Sequence, residues 1–156
     1  GSLAGASLNG SSGRGTSNTI IGSGAGETIS FGSFNTVVGT RAASTTAAGM
    51  IGITAVGHHA GKNNTTAQNN TMIGRSAGES NTTANLTAIG FYSGQANTTG
   101  ADNTYIGFQA GRINVVGEQN TFLGHQTGYN TVNTAGTGSW PPSQPGWQRT
   151  SPQTAI

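Results

Sequence analysis

Apolar and polar positions along this chain recur every 16 to 18 residues, which is neither the period of a helix nor that of a long strand. The repeated phrase reads Asn-Thr-x-aliphatic-Gly-x-x-Ala-Gly, as in residues 103–111. The glycine after the aliphatic residue marks each unit; we call it the anchor glycine. The anchors are Gly5, Gly22, Gly39, Gly57, Gly74, Gly90, Gly107 and Gly124. A fixed period over eight units predicts a repeat architecture.

Each slot around the anchor has its own chemistry. A small residue and usually a second glycine follow three and four residues after it, and Asn commonly stands four residues before it. The residue directly before the anchor is aliphatic: Ile21, Val38, Val56, Ile73, Ile89, Ile106 and Leu123, with Ala4 in the first unit. The β-branched segment predicts a short strand. A second segment, Asn-Thr-Thr at 81–83 and 97–99, predicts another strand, which gives two strands and two turns per unit.

We therefore predict an all-β fold, a parallel β-roll or β-helix solenoid of about eight coils of 16–18 residues. Stacked coils bury together what one coil cannot bury alone, at about 4.8 Å per coil. The aliphatic residues are expected to form the core ladder. Because such a core is thin, we also predict a homotrimer, intertwined or side by side.

The phrase at 70–78 and 103–111 resembles the repeats of bacteriophage tail fibres and the head-type repeats of trimeric autotransporter adhesins. The resemblance covers about residues 1–134. It implies a trimeric rod that serves as an adhesive or receptor-binding fibre at the cell or virion surface. Fold likeness alone does not determine function, because such rods are reused widely.

The last 22 residues depart from the repeat, so we divide the chain into a solenoid region, 1–134, and a C-terminal segment, 135–156. Three of the four prolines lie within 141–145. Proline cannot donate to a β-ladder, which favours a cap over the last coil. The alternatives are a receptor-contacting tip built on Trp140 and Trp147, and a linker to a further domain.

Composition excludes several functions. Only 6% of the residues are charged and the net charge is +2, so no patch is dense enough for nucleic acid. There is no cysteine and no apolar run long enough to insert in a membrane. The four carboxylates are far apart in sequence, and no nucleophile motif is present. We expect no enzyme activity, no cofactor and no resident metal.

The slots one and two residues after the anchor vary, and variable residues on a regular scaffold are typical of binding surfaces. Phe91, Tyr92 and Phe108 are candidates for an aromatic platform that contacts sugar rings. The alternative is that these rings pack between chains. The further candidates in these slots are His58, His59 and His125, and in a trimer three copies of one histidine could meet around a metal or an anion.

The leading hypothesis is a structural and receptor-binding fibre segment, most simply a phage tail fibre rod that contacts a host-surface glycan or protein. The alternative is a bacterial trimeric adhesin head. Two further hypotheses are a self-assembling extracellular filament and an ice-binding solenoid, whose Thr rows at 65–66, 82–83 and 98–99 are interrupted by Val115–Val116. All four place the chain outside the cell or on the virion.

Overall fold

The computed structural model describes residues 2, 4–5, 15–45, 49–65, 67–131 and 138–139, and it confirms the all-β parallel solenoid. Within these residues one strand recurs in each turn, and the strands follow chain order in one sheet. They are β1 (Thr19–Ile21), β2 (Thr36–Val38), β3 (Thr54–Val56), β4 (Thr71–Ile73), β5 (Thr87–Ile89), β6 (Thr104–Ile106), β7 (Thr121–Leu123) and β8 (Gly138–Ser139). Strands β1–β7 span about six turns.

The register between turns follows the repeat residue by residue. Thr104 pairs with Thr121, Tyr105 with Phe122 and Ile106 with Leu123, and the other turns align in the same way. Equivalent slots therefore stack into columns along the axis, as the sequence predicts. Strand β8 pairs in parallel with β7, so the sheet continues into the segment 135–156. Trp140 and Trp147 lie outside the described residues.

The face assignment of the strands corrects the sequence prediction. The aliphatic residue before the anchor points outward: Ile21 is 57% exposed, Ile73 37% and Leu123 36%. The variable middle residue of the strand is buried instead, because side chains alternate between the two faces of a strand. In β2–β7 these buried residues are Val37, Ala55, Met72, Ala88, Tyr105 and Phe122.

The interior column alternates in size in its central turns. Ala55 precedes Met72, and Ala88 precedes Tyr105, so a large side chain has a small neighbour in the preceding turn. The rings of Tyr105 and Phe122 then stack with their centroids 5.4 Å apart. The small residues three positions after the anchors, among them Ala60, Ala77 and Ala110, complete the core and are fully buried. The middle position of the strand therefore carries the packing although its residue type varies from turn to turn.

The anchor glycine is required by the spacing between turns. Gly57 has φ +134°, and a Cβ added there would lie 2.6 Å from the carbonyl oxygen of Gly74 in the next turn. No side chain fits that contact. The other anchors from Gly22 to Gly124 share φ values between 120° and 135°.

The first coil has a different register from the one predicted. Gly5 has φ +59°, close to the φ of +55° at Gly26, which is the second glycine of its turn. Its N–H donates to Ala25 O at 2.8 Å, just as the Gly26 N–H donates to Ala42 O at 2.9 Å. Gly5 therefore occupies the position of the second glycine, and the prediction that it is an anchor was wrong.

The predicted second strand is absent from 81–83 and 97–99. Asn81 and Asn97 point into the core, and their amides donate to Thr83 O at 2.7 Å and to Gly100 O at 2.8 Å. These local bonds hold the backbone in a bend, which competes with a strand.

Asparagine side chains form ladders that cross the interior. Asn103 Oδ1 accepts from Asn120 N at 2.9 Å, and Asn35 Oδ1 accepts from Ile53 N at 2.9 Å. Each amide thus satisfies backbone groups of the neighbouring turn.

Candidate functional site

Three neighbouring columns carry the side chains that differ from turn to turn, and we call them together the variable edge. They are the slots one, two and five residues after the anchor. The first contains Ser23, Thr40, His58, Arg75, Phe91, Phe108 and His125; the second contains Gly24, Arg41, His59, Ser76, Tyr92, Gln109 and Gln126; the third contains Glu27, Ser44, Lys62, Glu79, Gln95, Arg112 and Tyr129.

The tight turn after each strand positions this edge. Its second slot has left-handed backbone in every described turn; Tyr92 has φ 55° and Gln109 has φ 55°. The N–H of this residue donates to the first-slot carbonyl of the preceding turn, as from Gln109 to Phe91 O at 2.8 Å. Repetition of this bond holds every turn in the same orientation, so side chains of one slot lie above one another.

The first slot forms a stack of rings. The centroids of Phe91 and Phe108 are 5.4 Å apart, those of Phe108 and His125 are 5.0 Å apart, and both pairs are within 8° of parallel. Arg75 continues the stack, with its guanidinium carbon 5.6 Å from the centre of Phe91. Both faces of Phe108 are therefore covered by its neighbours, and its 42% exposure presents the ring edge. A sugar would meet ring edges here rather than an open face.

Tyr92 lies beside this stack, between two guanidinium groups. Arg75 of the preceding turn is 5.9 Å from the ring centre, and Arg112 of the following turn is 4.7 Å away. Phe91 contacts the same ring in an edge-to-face arrangement at 4.1 Å. Cation–π attraction holds both arginines close to the surface in defined positions.

A chain of polar contacts runs through five successive turns. His59 Nδ1 lies 3.6 Å from Glu79 Oε1, and Gln95 Nε2 donates to Glu79 Oε2 at 3.1 Å. Arg112 then donates from Nε to Gln95 Oε1 at 3.1 Å and from Nη1 to Tyr129 Oη at 3.3 Å. The guanidinium of Arg112 is thus oriented by side chains from both neighbouring turns.

The histidines predicted as candidates fall into two places. His58 and His59 stack on each other with centroids 3.8 Å apart, and His125 lies at the end of the ring stack. Burial lowers the pKa of His59, and the neighbouring His58 lowers it further. Within the described residues, no three side chains of His, Cys, Asp or Glu type are grouped to hold a metal ion.

The charge distribution of the described residues is strongly one-sided. Every described Lys, Arg and His belongs to the variable edge: Arg41, Lys62, Arg75, Arg112, His58, His59 and His125. Two carboxylates, Glu27 and Glu79, share the edge, whereas Asp102 and Glu118 lie in the turn before the strand. The permanent charge of the described edge is therefore +2, from four Lys/Arg and two Glu.

Sequence reasoning identified Phe91, Tyr92, Phe108 and the histidines, and the structure brings the three aromatic rings together. It missed Arg112, Gln95 and Tyr129, because the third column lies beyond the Ala-Gly pair and not beside the anchor. The signal was present: this slot carries Glu, Ser, Lys, Glu, Gln, Arg and Tyr in successive turns.

A second candidate surface is the outward face of the sheet. The aliphatic column consists of Ile21, Val38, Val56, Ile73, Ile89, Ile106 and Leu123, each exposed or half-buried. Beside it runs a threonine column of Thr19, Thr36, Thr54, Thr71, Thr87, Thr104 and Thr121. The face is regular, and its apolar stripe continues through strands β1–β7.

Comparison of the chain with protein-family models, with curated proteins and with solved structures finds no match. Among the described residues, no helix has the length and apolar character needed to cross a membrane.

Proposed function

We propose that this chain is a segment of a homotrimeric extracellular fibre, in which the solenoid supplies length and rigidity and the variable edge contacts a host-surface glycan or protein. One observation carries the proposal: the aliphatic column is exposed or half-buried in each of the strands β1–β7. Exposed apolar stripes of this length usually mark association surfaces.

The spacing of the column favours a second copy of this chain as the partner. Apolar residues recur once per turn, at about 4.8 Å. A partner must present side chains at the same interval to pack in register, and another copy of the chain does so without further adjustment. Closure of identical edges around a three-fold axis would bury the column of every chain.

The test is the molar mass of the full chain by light scattering, combined with a matched pair of variants. Ile73 lies in the aliphatic column with 37% exposure, whereas Ile113 is 36% exposed outside it. We expect a trimer for the wild-type chain and for Ile113→Glu, and a smaller species for Ile73→Glu, because a buried unpaired carboxylate is costly. A monomeric wild-type chain would overturn the trimer.

Tail fibre rod and bacterial adhesin head are alternatives within this proposal, and the flanking gene sequence distinguishes them. An adhesin would continue into a coiled coil and a membrane-anchor barrel, whereas a tail fibre would carry a virion-attachment domain. An uncapped filament subunit would instead form long polymers that electron microscopy detects.

An ice-binding solenoid is the second candidate, and the threonine column favours it. Seven threonines are in register on one face of the sheet, beside an equally regular apolar column. Such a face orders water only while it is exposed, so this function requires the face that a trimer would bury. Thermal hysteresis from a monomeric chain would support ice binding against the fibre.

A further inference from the structure

We propose that the variable edge recognises an acidic polysaccharide, and that Arg75 and Arg112, on either side of Tyr92, bind the carboxylates of its sugar units. This inference rests on the proposed receptor-binding function and specifies the ligand of that same edge. Four observations carry it: the distribution of cations, the free donors of Arg75, the orientation of Arg112 and the spacing of the turns.

The distribution of cations gives the sign of the ligand. The four described Lys and Arg residues and all three His residues lie on this edge, and with Glu27 and Glu79 its permanent charge is +2. A solvated surface needs no such segregation. An anionic ligand would therefore be attracted to this side of the solenoid and not to the others.

Arg75 has unused binding capacity. Its side chain is exposed and makes no hydrogen bond or ion pair with the described residues, although stacking on Phe91 and Tyr92 fixes its position. The five N–H donors of a guanidinium match a carboxylate in a planar, bidentate arrangement. Arg75 is therefore a restrained cation with its donors open to solvent.

Arg112 is oriented in a different way. Gln95 and Tyr129 accept one bond each, and the remaining donors of its guanidinium have no acceptor among the described residues. Its position over Tyr92 leaves the two arginines on either side of one ring. Pre-ordering of both groups lowers the entropy cost of binding.

The spacing of the turns indicates a saccharide rather than a peptide. Arg41, Lys62 and Arg75 come from three successive turns and from three different columns of the edge, so about 4.8 Å separates them along the axis only. This interval is close to the length of one sugar unit in an extended chain. Side chains on one face of an extended peptide recur at about 6.6 Å instead, so they would lose register after one or two turns.

The aromatic stack argues against single-stranded nucleic acid. Base recognition on such proteins uses open ring faces as stacking platforms. Here both faces of Phe108 are covered, and Tyr92 lies between Arg75 and Arg112. The hydrogen-bonded pair Gln109–Gln126, with Nε2 and Oε1 2.9 Å apart, carries amide donors and acceptors that suit the hydroxyl groups of sugars.

The test uses polygalacturonate oligomers and the same oligomers after complete methyl esterification, which removes the charge and keeps the backbone. Binding to the full chain is measured by calorimetry at two salt concentrations. We expect the acidic form to bind at least about tenfold more tightly, since hydrogen bonds to charged groups are the strong ones. Equal binding of the ester, or no binding of the acidic oligomers, would overturn the proposal.

Variants locate the site. Arg75→Gln and Arg112→Gln should each weaken binding about tenfold. The matched control, Gln68→Glu, lowers the net charge by the same amount at an exposed position outside the edge and should leave the affinity unchanged. An equal loss in the control, or tighter binding of a DNA oligonucleotide or an acidic peptide of the same charge, would contradict the assignment. Circular dichroism confirms that each variant is folded.

Failure of this inference is distinguishable from failure of the fibre proposal, because molar mass is measured on the same samples. A trimer that binds none of the oligomers would support the fibre proposal and contradict the acidic-saccharide site. A monomer that binds the acidic form would support the acidic-saccharide site and contradict the trimer.

Discussion

Left-handed backbone is the main demand that each turn makes on single residues. Three slots per turn have φ between 45° and 70°: the second slot of the variable edge, the second glycine, and the residue five before the anchor, such as Asn85 or Asp102. The second slot of the variable edge contains Tyr92, Gln109 and Gln126, all in left-handed backbone. The side chain at this slot therefore varies, whereas its backbone conformation does not. At the second glycine the constraint is stricter, because the core lies directly beneath it.

Gly94 and Ala43 occupy this same slot in different turns and allow a direct test. A Cβ at Gly94 would lie 2.6 Å from Tyr105 Cδ2, and φ is +56°. We expect Gly94→Ala to destabilise the protein by about 2–4 kcal/mol, from strained backbone and overpacking. At Ala43, φ is already 45°, so Ala43→Gly should change the stability by less than about 1 kcal/mol, as relief of strain offsets the lost methyl.

Urea unfolding at one fixed protein concentration measures both changes. The reciprocal substitutions are each other's control, since they exchange the same two residues in the same slot. A neutral Gly94→Ala would mean that the Tyr105 ring moves away without cost, and the packing argument for this glycine would fail.

At the scale of the strand, the sequence predicts the element and its stacking but not its faces. In β1, β2, β3, β4, β5 and β7 the middle and third residues are both apolar, as in Ile20-Ile21 and Met72-Ile73, so alternation alone leaves two choices. The repeated Ile looks like the core because it is regular, yet the interior tolerates Ala88 beside Tyr105 because small and large residues compensate between turns. Regularity is instead a property of the exposed column.

The variable edge was predictable to a similar extent. Its first two columns follow from the repeat, because every other slot next to the anchor is dictated by stacking. The stacking of Phe91 on Phe108 and the position of Arg112 over Tyr92 depend on rotamers and on the curvature of the turn, which the spacing of residues does not determine. The second strand was wrongly predicted for a related reason, since the asparagines at 81 and 97 have strand-like neighbours but bond to the backbone locally.

The asparagine ladder gives a prediction at this scale. Asn103 donates to Gly117 O at 2.7 Å and accepts from Asn120 N at 2.9 Å. Leu86 fills the equivalent slot in another turn, directly before Thr87 of β5. Asn103→Leu therefore introduces a residue type that the slot accepts in another turn. It removes the side-chain bonds to the buried backbone groups Gly117 O and Asn120 N. We expect a loss of about 2–3 kcal/mol.

The control for this variant is Asn130→Leu, at an exposed position, which should change the stability by less than about 0.5 kcal/mol. Urea midpoints of the two variants and of the wild type are compared at equal concentration. If Asn103→Leu were as stable as the wild type, apolar contact alone would hold the turns together, and the ladder would contribute register without stability.

At the scale of the whole molecule, the solenoid is a one-dimensional assembly. Each strand contacts the strand before it and the strand after it, and the described elements have no other pairings. The stability of such a protein is approximately a sum over turns and over the interfaces between neighbouring turns. Length can then change by whole turns without rebuilding the fold, which suits a rod that carries a binding edge outward.

Deletion of residues 91–107 tests this property, because the segment is one complete repeat of 17 residues. The deletion joins Gly90 to Phe108, so β5 becomes the neighbour of β7 and every column keeps its register. In the interior, Phe122 then follows Ala88 where Tyr105 followed it before. A small residue therefore still has a large ring in the next turn. We expect a folded protein, shorter by about 4.8 Å in small-angle scattering and of lower thermal stability.

The matched control removes residues 91–98, about half a repeat, and places strand residues against the turn of the next coil. We expect this chain to lose its β-sheet signal in circular dichroism. If both deletions unfolded the protein, the turns would depend on one cooperative core rather than on their nearest neighbours. If the in-register deletion folds, it also brings Arg75 and Arg112 into adjacent turns without Tyr92 between them, so the binding edge can be changed in spacing while the rod is kept.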